Sequence, residues 1–210
     1  ETARDAGIDE KIADGVPQSR IPAECDLIVV IGGDGTFIAA TRAVGDRNTP
    51  LMGVNVGRLG FLTEVVMDKM IATLSQILEG QFREEFRTLL DVAVIRNGEQ
   101  VLKTRVLNDA VVHKEALARM MECKVAIDDM FAFSTRSDGL ILSTPTGSTA
   151  YALSAGGPII HPALDAILLV PICPHTLANR AIAVPGNGCV TVSLARDGLD
   201  RLLTLDGQAG

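Results

Sequence analysis

The chain has 210 residues, of which 47% are hydrophobic, 21% charged and only 3% aromatic. This composition provides for an aliphatic core and argues against global disorder. The formal net charge of −7 argues against a broad nucleic-acid or anionic-membrane surface, because such partners select basic proteins, but it leaves room for one small anionic ligand held locally.

The four cysteines and three histidines are scattered along the chain, with no CxxC pair and no shared ligand spacing. We therefore expect no structural zinc site. Scattered thiols in a chain with an ample core suit a reducing compartment, so we expect a cytoplasmic protein. No apolar stretch reaches the roughly 18 residues of a membrane span, and we expect no membrane partner.

Residues 1–88 alternate between strand and helix patterns. The run "DLIVVI" (26–31) is short, apolar and β-branched and ends at glycines, which is typical of a buried parallel strand, and "TFIAATRAV" (36–44) predicts a helix. A second strand is predicted at 50–56. Helical spacing of apolar residues over 68–82, with a stop at Gly80, predicts a second helix. The alternation predicts a parallel α/β domain.

From residue 89 onward, short strands and polar turns replace this alternation. Asn97-Gly98 is a strong hairpin signal. Strand patterns continue to the last residues, so we predict a mainly antiparallel β domain over residues 89–210. Both ends of the chain look incomplete, because no strand precedes the first helix-like segment and no closing element follows the last strand. We therefore expect the native protein to carry further α/β and β structure outside residues 1–210.

The first polar feature is "GGDGT" (32–36), at the end of the first predicted strand. Glycines there permit a sharp turn and close approach of a ligand to the main chain, and free N–H groups beside a helix N-terminus favour phosphate. Asp34 stands where an anion would bind, which indicates that it binds Mg²⁺ or accepts a proton from an attacking hydroxyl. The alternative is that Asp34 caps the helix starting at Thr36 and the glycines serve only the turn.

A second polar stretch is "RSDGLILSTPTGSTAYALSAGGPI" (136–159). A strand runs into hydroxyl and glycine residues before a short helix, where ribose, amide or phosphate groups could be held. The alternative is a Thr/Ser-rich turn with an N-cap. The pair Asn108-Asp109 is a weaker signal, because Asn and Asp usually just make turns.

Taken in order, "GGDGT", "NVGRLGFLTE", "LNDAVVH", "STPTGSTAYALSAGGPI", "VPICPHTLANR" and "DGQ" resemble the NAD kinase family, bacterial members most closely, over about residues 25–208. GGDG alone is shared with lipid kinases, whereas TPTGSTAYxLSAGGP is highly specific. The resemblance implies an α/β domain followed by a β-sandwich-like domain, with NAD in the crevice between them. It implies phosphoryl transfer from ATP or polyphosphate to the 2′-hydroxyl of NAD's adenosine ribose, giving NADP. It further implies a divalent cation such as Mg²⁺ and a homo-oligomer, either tetramer or dimer.

The resemblance also implies roles for individual residues. Asp34 falls on the catalytic aspartate, and Asp34 and Gly35 on binding positions. Asn108 and Asp109 fall on an Asn-acid pair that holds the adenosine part, where the family commonly has the longer Glu. The resemblance implies no residue as a dedicated metal ligand. The remaining binding positions are Phe61, Arg119, Arg136, Asp138, Thr149, Ala150, Tyr151, Ala152, Leu153, Ser154 and Gln208.

Two other functions remain open at this stage. A lipid or diacylglycerol-type kinase would share GGDGT but should need an apolar cleft or a membrane-facing patch. A catalytically silent dinucleotide-binding module would keep the β domain, although the intact Asp34 argues against a dead site.

Overall fold

A computed structural model describes residues 20–57, 60–114, 120–176, 179–195 and 200–209. The chain divides into two compact units, Glu1–Phe82 and Arg83–Gly210. The first unit has parallel α/β structure and the second is built from antiparallel strands. The predicted fold class is therefore confirmed. Among the described residues, no helix is long and apolar enough to cross a membrane.

The first unit consists of short strands and helices in alternation. In chain order its elements are α1 (Ile21–Glu24), β1 (Ile28–Gly32), α2 (Asp34–Val44), β2 (Leu51–Asn55), β3 (Val65–Val66), a 3₁₀ helix (Met67–Lys69) and α3 (Met70–Leu78). The strands form one parallel sheet in the order β1-β2-β3.

Pairing of β1 with β2 places two polar segments at one edge of the sheet. The register pairs Gly32, the last residue of β1, with Asn55, the last residue of β2. Val30 and Val54 are buried, because apolar side chains of parallel strands are covered on both faces. The carboxyl ends of both strands therefore meet at the edge where ligands of open α/β sheets bind.

Three helix bounds differ from the predicted ones, and one of them is the start of α3, which lies at Met70 rather than at residue 68. Helix α2 starts at Asp34, two positions before Thr36. Helix α3 ends at Leu78 rather than at residue 82. The reason is Gly80, which adopts a φ of +80° and donates its N–H to the carbonyl of Ile77, so the helix cannot continue past it.

The second unit contains eleven strands, a 3₁₀ helix and one short α-helix among its described residues. In chain order they are β4 (Leu90–Arg96), β5 (Glu99–Val106), β6 (Asp109–Lys114), β7 (Met121–Ile127), β8 (Met130–Ser137), β9 (Gly139–Ser143), the 3₁₀ helix (Thr146–Thr149), α4 (Tyr151–Ser154), β10 (Ala166–Ile172), β11 (Ile182–Pro185), β12 (Val190–Leu194), β13 (Arg201–Leu205) and β14 (Gln208–Ala209). They form a six-stranded sheet in the order β11-β10-β9-β6-β13-β14, a three-stranded sheet β12-β7-β8 and the hairpin β4-β5.

The hairpin predicted at Asn97-Gly98 is confirmed. These two residues connect β4 to β5 with φ values of +52° and +84°. Both central residues of a type I′ turn need positive φ, and Asn followed by Gly is the pair that adopts it at least cost.

The strands of the six-stranded sheet separate two apolar clusters. Ala110 of β6 belongs to a core shared by strands of all three sheets, and Val111, its neighbour, belongs to a cluster that includes Ala152 of α4. Successive residues of a strand face opposite sides. Asp109 therefore shares the face of Val111, which is the face covered by α4.

Candidate functional site

The carboxylate of Asp34 is held by the segment that follows β2. Its Oδ2 accepts a hydrogen bond from the N–H of Phe61 at 2.9 Å. Its Oδ1 accepts from the N–H of Leu62 at 3.1 Å, and from the N–H and the hydroxyl of Thr63 at 3.3 and 3.2 Å. No other hydrogen bond from a described residue reaches Oδ2. Because a carboxylate oxygen can accept about two hydrogen bonds, Oδ2 is the oxygen with capacity left for a ligand.

Asp34 does not cap helix α2. Gly33 occupies the N-cap position and makes no side-chain cap hydrogen bond. The alternative of a capping Asp34 is therefore wrong. Buried Thr63 is fixed in turn, because it accepts a hydrogen bond from Nδ2 of Asn55 at 2.9 Å. The network ties the ends of β1 and β2 to the segment around Thr63.

The glycines around Asp34 fall into two groups. A Cβ at Gly32 would lie 2.6 Å from Oγ1 of Thr36, and a Cβ at Gly60 would lie 2.6 Å from Cγ of Asp34. These two glycines are required by their neighbours in the fold. A Cβ at Gly33 or Gly35 would meet no atom within 4 Å. The fold does not need glycine at those two positions, so their bare backbone is left for close approach of a ligand.

Phe61 lies beside this carboxylate with 64% of its surface exposed. Its backbone N–H donates a hydrogen bond to Asp34, whereas its ring is not buried in the core. An exposed aromatic ring next to a carboxylate oxygen that can accept a further hydrogen bond can stack on a planar ligand group.

In the second unit, the turn before β6 is fixed by a carboxylate in the same way. Asp206 accepts hydrogen bonds from the N–H groups of Leu107 at 3.2 Å, Asn108 at 2.7 Å and Asp109 at 3.2 Å. The N–H of Asp206 returns a bond of 2.9 Å to the carbonyl of Asp109.

The polar stretch after β9, which begins at Thr144, binds the carbonyl groups of this turn. The N–H of Thr144 donates to the carbonyl of Asn108 at 2.9 Å, and its hydroxyl donates to the carbonyl of Leu107 at 2.6 Å. Gly147 comes so close that a Cβ there would lie 2.6 Å from Cα of Asn108. Two of the stretches singled out in the sequence are therefore brought into direct contact.

The side chains of the Asn108-Asp109 pair remain available. No described residue hydrogen-bonds the carboxamide of Asn108 or the carboxylate of Asp109, although Asp109 is only 3% exposed. Burial, and secondarily the negative charge of Asp206, raises the pKa of Asp109 from 3.8 to about 6. A buried acid without a donor partner is the kind of group that a ligand hydroxyl or amine can satisfy.

The short helix α4 presents a mixed surface. Tyr151 and Leu153 are 47% and 40% exposed, and Ser154 is exposed as well. Thr149 and Ala150 are half-buried. The side chain of Ala152 is fully buried in the apolar cluster under the helix, so only its main chain could meet a ligand.

Other predicted site residues lie elsewhere. Asp138 precedes β9, whose register with β6 puts it at the end opposite Asp109, about 17 Å away at the rise of a strand. Its carboxylate pairs with Nζ of Lys114 at 2.6 Å, and Arg136 is exposed nearby in β8. Arg119 lies outside the described residues. Gln208 opens β14, directly after the turn that carries Asp206.

Sequence reasoning missed Asp206 and Thr63 as parts of these sites, and it offered Thr144 as a ligand-binding hydroxyl rather than as a partner of the Asn108 turn. Asp206-Gly207 was available as a hairpin signal in "LDGQ", since Asp-Gly is a preferred two-residue turn. Nothing in the sequence shows that its carboxylate reaches a segment about a hundred positions earlier. Among the described residues, no group of three or more His, Cys, Asp or Glu side chains could hold a metal ion.

Comparison with known proteins matches both units to one family. Residues 13–82 match the model of the ATP-NAD kinase N-terminal domain, and residues 107–210 match that of the ATP-NAD kinase C-terminal domain. An NAD kinase of Magnetococcus marinus is 53% identical over 210 residues, all of this chain and 69% of the relative. An NAD kinase of Geobacter sulfurreducens is 48% identical over 196 residues, 93% of this chain and 69% of the relative. The chain belongs to the NAD kinase family.

Solved structures agree with this assignment. Yeast NADH kinase complexed with NADH superposes with a TM-score of 0.86 at 30% identity, covering 93% of this chain and 57% of the yeast chain. An NAD kinase from Archaeoglobus fulgidus in complex with ATP superposes with a TM-score of 0.78 at 26% identity, covering 98% of this chain and 77% of the archaeal one. The chain thus spans little more than half of the yeast enzyme.

Proposed function

We propose that the protein phosphorylates the 2′-hydroxyl of the adenosine ribose of NAD, with ATP or polyphosphate as donor, and so makes NADP. Membership of the NAD kinase family supports this activity. The observation that carries it is the state of Asp34, whose Oδ1 is engaged by Leu62 and Thr63 while Oδ2 accepts a single bond.

In this proposal Asp34 is the proton acceptor. A ribose hydroxyl is a weak nucleophile near neutral pH, so a carboxylate within hydrogen-bond reach accelerates its attack. The 2′-oxygen forms a bond to the terminal phosphorus of the donor, the bond from that phosphorus to the bridging oxygen breaks, and the hydroxyl proton passes to Oδ2. The bonds to Oδ1 hold the carboxylate in one orientation while this happens.

The glycines beside Asp34 would serve the phosphate groups. Gly33 and Gly35 expose backbone at the start of α2, where unpaired N–H groups favour anions. Mg²⁺ usually keeps several waters and is held in part by substrate phosphates, so a cation that arrives with the donor would leave Oδ2 of Asp34 to the ribose hydroxyl. Such a cation would offset charge on the phosphoryl oxygens.

The second unit would recognise the dinucleotide. We propose that the side chains of Asn108 and Asp109 bind the adenosine part, and that Tyr151 and the neighbouring residues of α4 contact the rest of the ligand. The free carboxamide of Asn108 and the buried carboxylate of Asp109 support this role. Binding positions at Arg119, Arg136, Asp138 and Gln208 stay predictions from the resemblance, as do a cytoplasmic location and a homo-oligomer.

One assay tests the proposal against its alternatives. The protein is incubated with NAD or NADH, with ATP or polyphosphate and Mg²⁺, and NADP or NADPH is measured; a parallel reaction contains diacylglycerol instead of the dinucleotide. We expect phosphorylated dinucleotide and no phosphorylated lipid. Calorimetric binding of NAD without turnover would indicate a silent binding module, and lipid phosphorylation alone would indicate a lipid kinase.

Asp34→Asn is the first variant to measure. We expect turnover to fall about 10²- to 10⁴-fold, the usual worth of a general base, because the amide keeps an oxygen for the segment at 62–63 but cannot take the proton. Asp26→Asn, at an exposed position before β1, is the matched control and should keep wild-type turnover. Wild-type turnover in Asp34→Asn would reduce Asp34 to an anchor of its loop.

A further inference from the structure

Asn108 and Asp109 have a fixed backbone and free side chains. The three consecutive N–H groups of residues 107–109 all point at Asp206. Their carbonyls at Leu107 and Asn108 are bound by Thr144. The backbone N–H and C=O groups of this turn are therefore engaged. Because this fixes the backbone, Asp206 and Thr144 determine the directions of the two side chains.

Asp206 is itself held in place by its turn. It has a φ of +50° and is followed by Gly207 at +74°, as the two central residues of the β13–β14 turn. Its N–H donates to the carbonyl of Asp109. Asp tolerates the left-handed conformation better than most residues, and its short side chain turns back to the segment 107–109.

A charged residue here has an electrostatic cost that a neutral one would avoid. The carboxylates of Asp206 and Asp109 repel each other, and this repulsion contributes to the raised pKa of Asp109. A cluster of backbone N–H groups aimed at one point is nevertheless a strong site for an anion, because the group dipoles add. The three hydrogen bonds from these N–H groups offset the repulsion. This indicates that Asp206 serves to fix the position of the turn.

We propose that Asp206 is a positioning residue for dinucleotide recognition, whose carboxylate fixes the backbone of residues 107–109 so that Asn108 and Asp109 present their side chains to the ligand. The inference rests on the proposed function, since it assigns these two side chains to NAD. Asp206 acts through them and does not need to touch the ligand.

Two variants of Asp206 separate positioning from stability. Asp206→Asn retains a residue suited to positive φ and one acceptor oxygen, but it loses the charge and the second acceptor oxygen. Asp206→Ala loses every acceptor. We expect KM for NAD to rise about 10-fold in Asp206→Asn and about 100-fold in Asp206→Ala, with KM for ATP unchanged, since hydrogen bonds to charged groups have effects of this size.

The chain offers a matched control in Asp128. It also lies in a two-residue turn with a φ of +48°, and its carboxylate accepts the N–H of Cys189 at 2.8 Å. It joins β7 to β8 in the three-stranded sheet. Asp128→Ala should lower thermal stability without changing KM for NAD.

Hydrogen exchange makes the test independent of activity. In the ligand-free protein we expect the amides of residues 107–109 to exchange about 10- to 100-fold faster in Asp206→Ala, and the amides of β9 to keep their wild-type rates. Unchanged exchange at 107–109, or equal changes in KM for NAD and ATP, would overturn the role of Asp206. If Asp206→Ala exchanges faster at residues 107–109 but the wild-type protein makes no NADP, the hold of Asp206 on this backbone would be supported and the proposed function rejected.

Discussion

The carboxylates of Asp34 and Asp206 each fix a loop by the same kind of hydrogen bonding. Each carboxylate accepts the N–H groups of three consecutive residues, at 61–63 and at 107–109. A loop that is not part of a sheet must satisfy its backbone donors elsewhere. A carboxylate satisfies several of them at once, so one side chain can fix a loop of several residues.

Gly60 tests how closely Asp34 must fit its loop. In Gly60→Ala the new Cβ would lie 2.6 Å from Cγ of Asp34, so the carboxylate or the loop must move by about 1 Å. A displacement of that size can lower a catalytic rate roughly 100-fold, and we expect that loss in NADP formation. Gly57→Ala is the control, because its Cβ would meet no atom within 4 Å; similar losses in both variants would contradict the prediction.

Asp109 should make stability depend on pH. Its pKa is about 6 in the folded chain against 3.8 ordinarily, so the folded state binds the proton more tightly. The protein is therefore most stable with respect to this group below pH 3.8, where Asp109 is protonated, and it loses this stability as pH rises through 6 and the buried carboxyl ionises. We expect the unfolding free energy of Asp109→Asn, relative to wild type, to rise by about 2 to 3 kcal/mol between pH 4 and 7.5. Urea titrations at both pH values measure this, and a pH-independent difference would contradict it.

At the scale of elements, tight turns place the polar residues of the second unit. The β13–β14 turn delivers Asp206 to the segment before β6, and it is flanked by Leu205 and Gln208, which pair with each other. The two central residues of the β4–β5 turn have similar positive φ values, but no hydrogen bond joins them to the candidate site among the described residues. The conformation of a turn is thus local, whereas its use depends on what lies across from it.

Gly207→Ala should separate these two properties. Gly207 has a φ of +74° and open space around it, so alanine there adds backbone strain without a clash. We expect the unfolding free energy to fall by about 1 to 2 kcal/mol and KM for NAD to rise severalfold as Asp206 shifts. Gly98→Ala, at a φ of +84°, should lose similar stability. If it also weakened NAD binding, the effect would be global rather than an effect of Asp206.

At the scale of the whole molecule, an exposed segment connects two compact units. Residues 79–86 are all exposed, and residues 81–89 form neither helix nor strand. Apolar Phe82 and Phe86 are 55% and 83% exposed. A segment with no ladder hydrogen bonds and little burial opens more readily than the units beside it.

Limited proteolysis should therefore cut between the units first. The side chain of Arg83 is 85% exposed, and we expect brief trypsin treatment to give two fragments that meet after this residue. Mass spectrometry identifies the ends. Arg83→Gln should slow this first cut while leaving cleavage by a glutamate-specific protease at Glu84 and Glu85. Initial cleavage inside either unit would show that the connection is better protected than its exposure indicates.

The sequence alone determined much of this protein. Runs of apolar residues predicted β1 and β2, Asn97-Gly98 predicted its hairpin, and the change of period predicted an α/β unit followed by a β-rich one. These features depend on neighbours in the chain, where side-chain size, turn conformation and periodicity act directly. The family, too, followed from the order of its motifs, because the run around Thr149 and Tyr151 is long and specific.

Only the tertiary structure decided which polar groups are occupied. The sequence left Asp34 either a helix cap or a functional acid, and the structure removes the cap and bonds the carboxylate to residues 27 to 29 positions later. It likewise joined Asp206 to Asn108 across 98 positions. A hydrogen bond depends on distances of a few tenths of an ångström and on direction. Such distances between remote residues arise only when the strands that carry them have paired in register.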